Sequence, residues 1–147
     1  QVRHVRPEQP DLIARWIRAT TGHLWASKSY LDRMGRPETP ADLQDATLIG
    51  FEDPDRMLAF LNRFGLGLRR DQIKVTTNSG TAAWEMVRFG LGIGVMTRDL
   101  AERYPDVEPV LPDLVNVEVP IWLVTHRELR YSRRIRQVFD ALAEGLA

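Results

Sequence analysis

Residues 75–96 read VTTNSGTAAWEMVRFGLGIGVM, and the glycines at 90, 92 and 94 decide how the chain is built. A dinucleotide fingerprint runs strand, G-x-G-x-x-G, helix, so that a pyrophosphate meets the backbone N–H groups at the helix start. Here the order is reversed. Ala83, Met86, Val87 and Gly90 recur at helical spacing ahead of the glycines, and Ile93, Val95 and Met96 follow as a short buried strand. The third glycine also falls one place early, with Val95 where the fingerprint needs its last glycine. The stretch therefore reads as strand, polar helix start, helix, glycine turn and strand. Gly90 is expected to end the helix in a left-handed conformation, and Gly92 and Gly94 to let the next strand pack closely.

Working outward, strands and helices alternate, which argues for an α/β architecture rather than a bundle or a sandwich. Val2 to Val5 and Ala14 to Ala19 read as strands separated by the turn RPEQPD, and His23 to Ala26 as a third. Ser27 or Ser29 caps a short helix carrying Tyr30 and Leu31 and ending near Gly35. Thr39 with Pro40 is an N-cap followed by proline in the first helical position, and Leu48 to Phe51 is a strand running into FEDPD. From Pro54 to Phe64, Met57, Leu58, Leu61 and Phe64 repeat at helical spacing. IKVTT is a strand, and Asn78, Ser79 or Gly80 is expected to cap the helix bearing Trp84. A helix from Arg98 to Arg103, an edge-like strand from Val107 to Leu111 and the LPDL turn follow. VPIWLVT is the last strand. Ser132 then opens a helix whose Ile135, Val138, Phe139, Leu142 and Leu146 form one apolar stripe.

Composition narrows the function. The chain has 147 residues, 44% of them hydrophobic and 27% charged, enough for one sizeable core in an ordinary globular domain. Twenty basic and twenty acidic residues cancel, so the chain as a whole does not read as a polyanion-binding surface. With no cysteine, disulfides, thiolate nucleophiles and cysteine zinc sites are excluded, in keeping with a cytoplasmic protein. No apolar run reaches the roughly 20 residues of a membrane span, and QVRHVRPEQP lacks the apolar core of a signal peptide. Gln1 in place of an initiator Met is expected to be a processed or cut end.

The pieces together match a known pattern. LWASKSYLDRMGRPETPADLQDATLIGF (24–51) resembles the stretch in LysR-type transcriptional regulators where the effector domain crosses from its first subdomain into its second. VTTNSGTAAWEMVRFGLGIGVMTRDLAERYPDVEPVLPDL (75–114) resembles that family's strand, helix start, helix and glycine turn. VPIWLVTHRELRYSRRIRQVFDAL (119–142) is similar to its returning strand and last helix. The resemblance implies an α/β fold of the periplasmic-binding-protein type 2, with a small effector in the cleft between two subdomains. It implies a partial first subdomain over 1–21, the complete second over 22–120, and a returning strand and last helix of the first over 121–147. It further implies DNA binding only through a helix-turn-helix module that precedes this part, a homo-oligomer in the full-length protein, and no cofactor.

Site residues follow from the same resemblance, each with a plainer alternative. Thr77, Asn78, Ser79, Gly80 and Thr81 lie where family members contact the effector; ordinary helix capping uses the same groups. Phe51 and Glu52, with Asp53, follow a strand end facing the same cleft, or form a solvated acidic turn before Pro54. Two acids there disfavour an anionic effector unless they point outward. Arg3 and His4 match the strand end on the first-subdomain side, or are polar residues near a frayed terminus. A guanidinium can clamp a carboxylate with two hydrogen bonds, so a small carboxylate is the effector class that Arg3 and the helix start suggest. Lys28 stands after Ser27 where the family commonly has proline, which sets that loop apart. Arg127, Arg130, Arg133, Arg134 and Arg136 read as the charged outer face of the last helix, although several oppose its dipole.

Enzyme chemistry has little to stand on. His4, His23 and His126 are far apart and form no HExxH-type pair, and no acidic cluster has ligand spacing, so no metal site is expected. Ser79 sits in NSG and lacks the nucleophile elbow. The expectation is an effector-sensing domain that makes and breaks no bond; the alternative is a transport-type solute-binding protein of the same fold.

Overall fold

The computed structural model describes residues 1–147. Strands β1 (Val2–Arg3), β2 (Leu12–Ser27), β3 (Leu48–Phe51), β4 (Ile73–Thr77), β5 (Gly94–Thr97), β6 (Val107–Val110) and β7 (Val117–His126) alternate with helices α1 (Lys28–Met34), α2 (Pro54–Asn62), α3 (Gly80–Arg88), α4 (Arg98–Ala101) and α5 (Arg133–Leu146). Short 3-10 turns cover Pro40–Leu43, Arg70–Gln72 and Arg127–Tyr131. The chain forms two compact units: Gln1–Thr21 with Glu118–Ala147 (unit 1), and Gly22–Val117 (unit 2).

In unit 2, the Gly22–Ser27 end of β2 is a central strand. It pairs antiparallel with β5 on one side and β6 on the other, so that Leu24 lies opposite both Val95 and Val110. Its two faces feed two cores. Leu24 and Ala26 join Leu31, Leu48, Leu61 and Ile93, whereas Trp25 joins Ile49, Trp84, Val87 and Ala101. Burial on both faces is why HLWA and LIG read as continuous apolar runs instead of alternating ones. β3 and β4 pair in parallel, and Ile93 bridges to Leu48 on β3.

The glycine turn has the expected geometry. Gly90 adopts φ +80°, the Gly90 N–H donates to the Val87 carbonyl and the Leu91 N–H to the Met86 carbonyl, both at 3.0 Å. This is a Schellman motif closing α3. A Cβ at Gly92 would lie 2.6 Å from the Thr47 carbonyl oxygen, and one at Gly94 2.5 Å from a Val87 methyl, so both positions admit only hydrogen.

Several local readings change in the structure. The strands expected over Ala14–Ala19 and His23–Ala26 are one, because Thr20 and Thr21 are β-branched and Gly22 is held by its pairing with Thr97. The strand expected from Val2 to Val5 shrinks to two residues. The helix from Arg98 to Arg103 stops at Ala101, ahead of Pro105, which disfavours helix in the residue before it. In unit 1 the strand order is β1-β7-β2, and Ile121, Leu123 and Val124 are buried. The α5 stripe is only partly covered: Val138 is 57% exposed and Leu142 40%.

Asp42 fastens the 3-10 turn by accepting hydrogen bonds from the backbone N–H groups of Glu38 (2.9 Å) and Thr39 (3.0 Å). Those bonds hold its carboxyl below the ordinary value of 3.8. A carboxyl lowered by folding contributes stability that is present above its unfolded value and lost as pH falls through the folded one. Asp42→Asn keeps an acceptor but does not titrate. Its melting temperature is expected to drop less than the wild-type chain's between about pH 5 and about pH 3. Equal drops in a thermal melt series would contradict this role.

Candidate functional site

The parallel register of β3 and β4 sets Phe51 opposite Thr77, so the carboxyl ends of both strands lie side by side. Each strand then turns directly into a helix, α2 after β3 and α3 after β4. Two of the stretches singled out in the sequence, Phe51–Asp53 and Thr77–Thr81, are thus brought together. The Glu52 N–H donates to the Thr77 carbonyl at 3.0 Å, and Glu52 reaches this bond with φ +57°, a left-handed conformation that a residue with a Cβ seldom adopts.

Among the three possible caps of α3, Ser79 is the one used: its Oγ accepts from the Ala82 N–H at 3.1 Å. The Ala83 N–H donates to the Ser79 carbonyl at 2.9 Å, and the Ser79 N–H donates to Thr77 Oγ1 at 3.1 Å. The N–H groups of Gly80 and Thr81 are the remaining donors of the first turn. Asn78, Ser79, Gly80 and Thr81 are all exposed, and nothing lies within 4 Å of where a Gly80 Cβ would sit. The strand end therefore presents hydroxyl, amide and backbone donors at the positive end of a helix, an arrangement suited to an acceptor group.

Asp53 is taken out of this set. Its carboxylate caps α2, accepting from the N–H groups of Asp55 (3.1 Å) and Arg56 (3.2 Å), so of the two acids Glu52 alone is uncommitted. The signal was in the sequence as Asp53-Pro54, a cap followed by proline at the first helical position. Arg3 and His4 belong to unit 1. Arg3 pairs through β1 with Trp122, and its guanidinium donates to Gln1 Oε1 at 3.0 Å, while His4 is exposed in the bend after β1. Arg3 also edges a concavity of about 510 Å³ formed by β1, β7 and α5, with Leu123, Val138, Phe139 and Leu142 among its walls. That trough is an uncovered side of the α5 stripe, with few convergent polar groups, and none of the residues at the α3 start lines it.

Two buried polar residues were not anticipated. His23 is 1% exposed and its Nδ1 lies 2.8 Å from the Val115 carbonyl, so that nitrogen carries the proton. Gln72 donates to the carbonyls of Leu43 (2.7 Å) and Ala46 (3.0 Å) and accepts from the Arg69 N–H (2.8 Å). His23 ties β2 to the segment before β7, and Gln72 ties the Arg70–Gln72 turn to the Leu43–Ala46 segment, all within unit 2. No group of three or more His, Asp or Glu side chains is disposed to hold a metal ion.

Comparison with known proteins points one way. The family model described as the LysR substrate binding domain matches residues 2–147. An uncharacterised HTH-type transcriptional regulator of Haemophilus influenzae is 33% identical over 98 residues, covering 65% of this chain and 34% of that protein. The chain thus spans about a third of the length of this relative. Among solved structures, the regulatory domain of CrgA, a LysR-type transcriptional regulator from Neisseria meningitidis, superposes with a TM-score of 0.77 at 23% identity. The match covers 99% of this chain and 74% of that one. The regulatory domain of AphB from Vibrio vulnificus gives 0.65 at 18% identity, with 99% and 74% covered. At these identities the likeness speaks for the fold, which is the periplasmic-binding-protein-like type 2 α/β fold.

Proposed function

The chain belongs to the LysR substrate-binding domain family, and on that premise we propose that it is the effector-sensing part of a transcription regulator, with the α3 start and the end of β3 as its contribution to the effector site. The observation that carries this reading is the side-by-side ending of β3 and β4, with the Gly80 and Thr81 N–H groups left over at the helix start. Ligands of open α/β sheets bind outside the carboxyl ends of the strands, where such donors converge. An effector carrying a carboxylate suits the donors of Asn78, Gly80 and Thr81, and Arg3 in unit 1 is the second anion-binding candidate. With Asp53 committed to α2, the acidic objection to an anionic effector is reduced to Glu52. Phe51 completes the proposed set within unit 2, and His4 stands next to Arg3 within unit 1.

Sensing requires that binding shift an equilibrium between states, not that a bond be broken. The full-length regulator, in this reading, is a cytoplasmic homo-oligomer that contacts DNA through a helix-turn-helix module. A thermal-melt screen against small carboxylates and other metabolites tests the proposal. Effector at a hundredfold excess over its dissociation constant is expected to add about 2.7 kcal/mol, a rise of several degrees. Asn78→Ala combined with Ser79→Ala should abolish that rise while lowering the unliganded melting point by only the roughly 1 kcal/mol of a lost cap. A shift undiminished in the double variant would remove the site from this position. Recovery of the bound metabolite chemically altered would replace sensing with catalysis.

A further inference from the structure

The segment Arg127–Arg136 holds five arginines and one acid, Glu128, in a chain whose twenty basic and twenty acidic residues cancel, so the rest of the chain carries the balancing excess of acid. All five arginines are exposed, and none makes an ion pair. Their spacing is regular. Arg127 and Arg130 are three apart within a 3-10 turn, where side chains at that separation eclipse, and Arg133 and Arg136 are three apart on one face of α5. Ser132 joins the two pairs and caps α5. The Arg136 guanidinium reaches back to the Arg130 carbonyl at 3.4 Å. Arg130 lies over the Tyr131 ring at 4.5 Å and donates to its hydroxyl, and that ring is 72% exposed. Arg130 and Arg136 are thus tied to one another and to Tyr131, with Arg127, Arg133 and Arg134 exposed beside them.

This surface works against its own helix. The first turn of α5 contains no acid and its last turn no base, while Arg133, Arg134 and Arg136 crowd the positive end of the dipole. Arrangements that stabilise a helix place charges the other way round. A cluster without ion pairs that also opposes the dipole of its own helix calls for an anionic partner outside the chain, and overall neutrality conceals it because net charge averages over distant surfaces.

We propose that the Arg127–Arg136 face of unit 1 docks on the phosphate backbone of duplex DNA. Guanidinium groups bind phosphate oxygens through two parallel hydrogen bonds, and a duplex presents phosphates in a regular row that a run of arginines can follow. Such contacts position a protein without reading sequence. The choice of duplex DNA over other polyanions rests on the regulator reading above; the anion-binding face itself does not.

Fluorescence anisotropy of this 147-residue chain with a labelled 30-base-pair duplex of arbitrary sequence tests the proposal. Binding is expected at low salt, with log affinity falling against log salt at a slope of about −3, a loss of roughly 60-fold between 50 and 200 mM. Arg133→Gln, Arg134→Gln and Arg136→Gln together should weaken binding at least tenfold and make the slope shallower by about two. The corresponding triple Lys variant should keep affinity within about threefold, since point charges suffice for backbone contact. The Gln variant should melt at or above the wild-type temperature, because it relieves the dipole conflict. A lower melting point would show that the arginines hold the fold and would overturn the proposal. So would absence of binding, binding untouched by the Gln variant, competition by polyglutamate as effective as by DNA at equal charge, or preference for polyuridylate at equal phosphate. Asn78→Ala with Ser79→Ala should leave DNA binding unchanged, so failure here and failure of the effector reading remain distinguishable.

Discussion

Replacing Gly92 by alanine should destabilise the protein by on the order of 3 kcal/mol, at the upper end of overpacking costs. The new Cβ would stand 2.6 Å from the Thr47 carbonyl oxygen and 3.1 Å from two further Thr47 atoms. Thr47 has no freedom to withdraw. Its carbonyl accepts from the Ile93 N–H at 2.8 Å, its own N–H donates to Tyr30 Oη at 2.9 Å, and the Ile49 N–H donates to the Ile93 carbonyl at 2.8 Å. Moving Thr47 aside gives up these bonds, each worth about 1 kcal/mol when made and more when a buried group is left unmet. The melting temperature should fall by about 12 °C, using roughly 4 °C per kcal/mol for a chain of this size. Gly145→Ala is the matched control. It lies in α5 with nothing within 4 Å of its Cβ position, and should leave the melting point unchanged or slightly raised. A Gly92→Ala chain melting within about 2 °C of wild type would contradict the close approach.

Leu24→Ala should cost about 3–4 kcal/mol, within the range measured for buried leucine truncation. Leu24 is 1% exposed, is flanked in register by Val95 and Val110, and packs with Leu31, Leu48, Leu61 and Ile93. Strands on both sides prevent collapse into the space left behind, which keeps the cavity cost high. Val138→Ala provides the contrast: 57% exposed, it should change stability by no more than about 0.5 kcal/mol. Urea unfolding of both variants measures the difference directly. A Leu24→Ala loss below about 1 kcal/mol would mean that the site closes up on truncation.

The features read correctly from sequence are those whose cause is local. Ser132 caps α5 and Gly90 closes α3, and the caps of α1 and α3 fall within the few candidates named, Ser27 of Ser27 or Ser29 and Ser79 of Asn78, Ser79 or Gly80, because each depends on a few adjacent residues. The family resemblance added the fold, since the order of these local elements is itself a signature. What escaped depends on partners distant in the chain. The continuity of β2 through Thr20–Gly22 is set by strands seventy or more residues away, and the burial of His23 by the Val115 carbonyl. For the candidate site, sequence named both stretches, but their adjacency comes from the Phe51–Thr77 register, which no local pattern encodes. Asp53 looked available and is spent on α2. The arginine cluster was visible as composition, yet its lack of ion pairs appears only when the neighbours of each side chain are known.

Unit 2 is one unbroken segment, Gly22–Val117, whereas unit 1 is assembled from the two ends of the chain. On the ribosome this difference becomes an order of events. Every strand and helix that unit 2 needs has been synthesised while Glu118–Ala147, the second part of unit 1, is still to come. Domains fold as units during elongation at about 5–20 residues per second, so unit 2 has on the order of seconds to form first. Gln1–Thr21 must wait through that interval without β7 beside it, and the Gln1–Val124 backbone pair is among the last contacts that can be made. Strand β1, whose partner is β7, is thus the strand of this segment that stays unpaired longest.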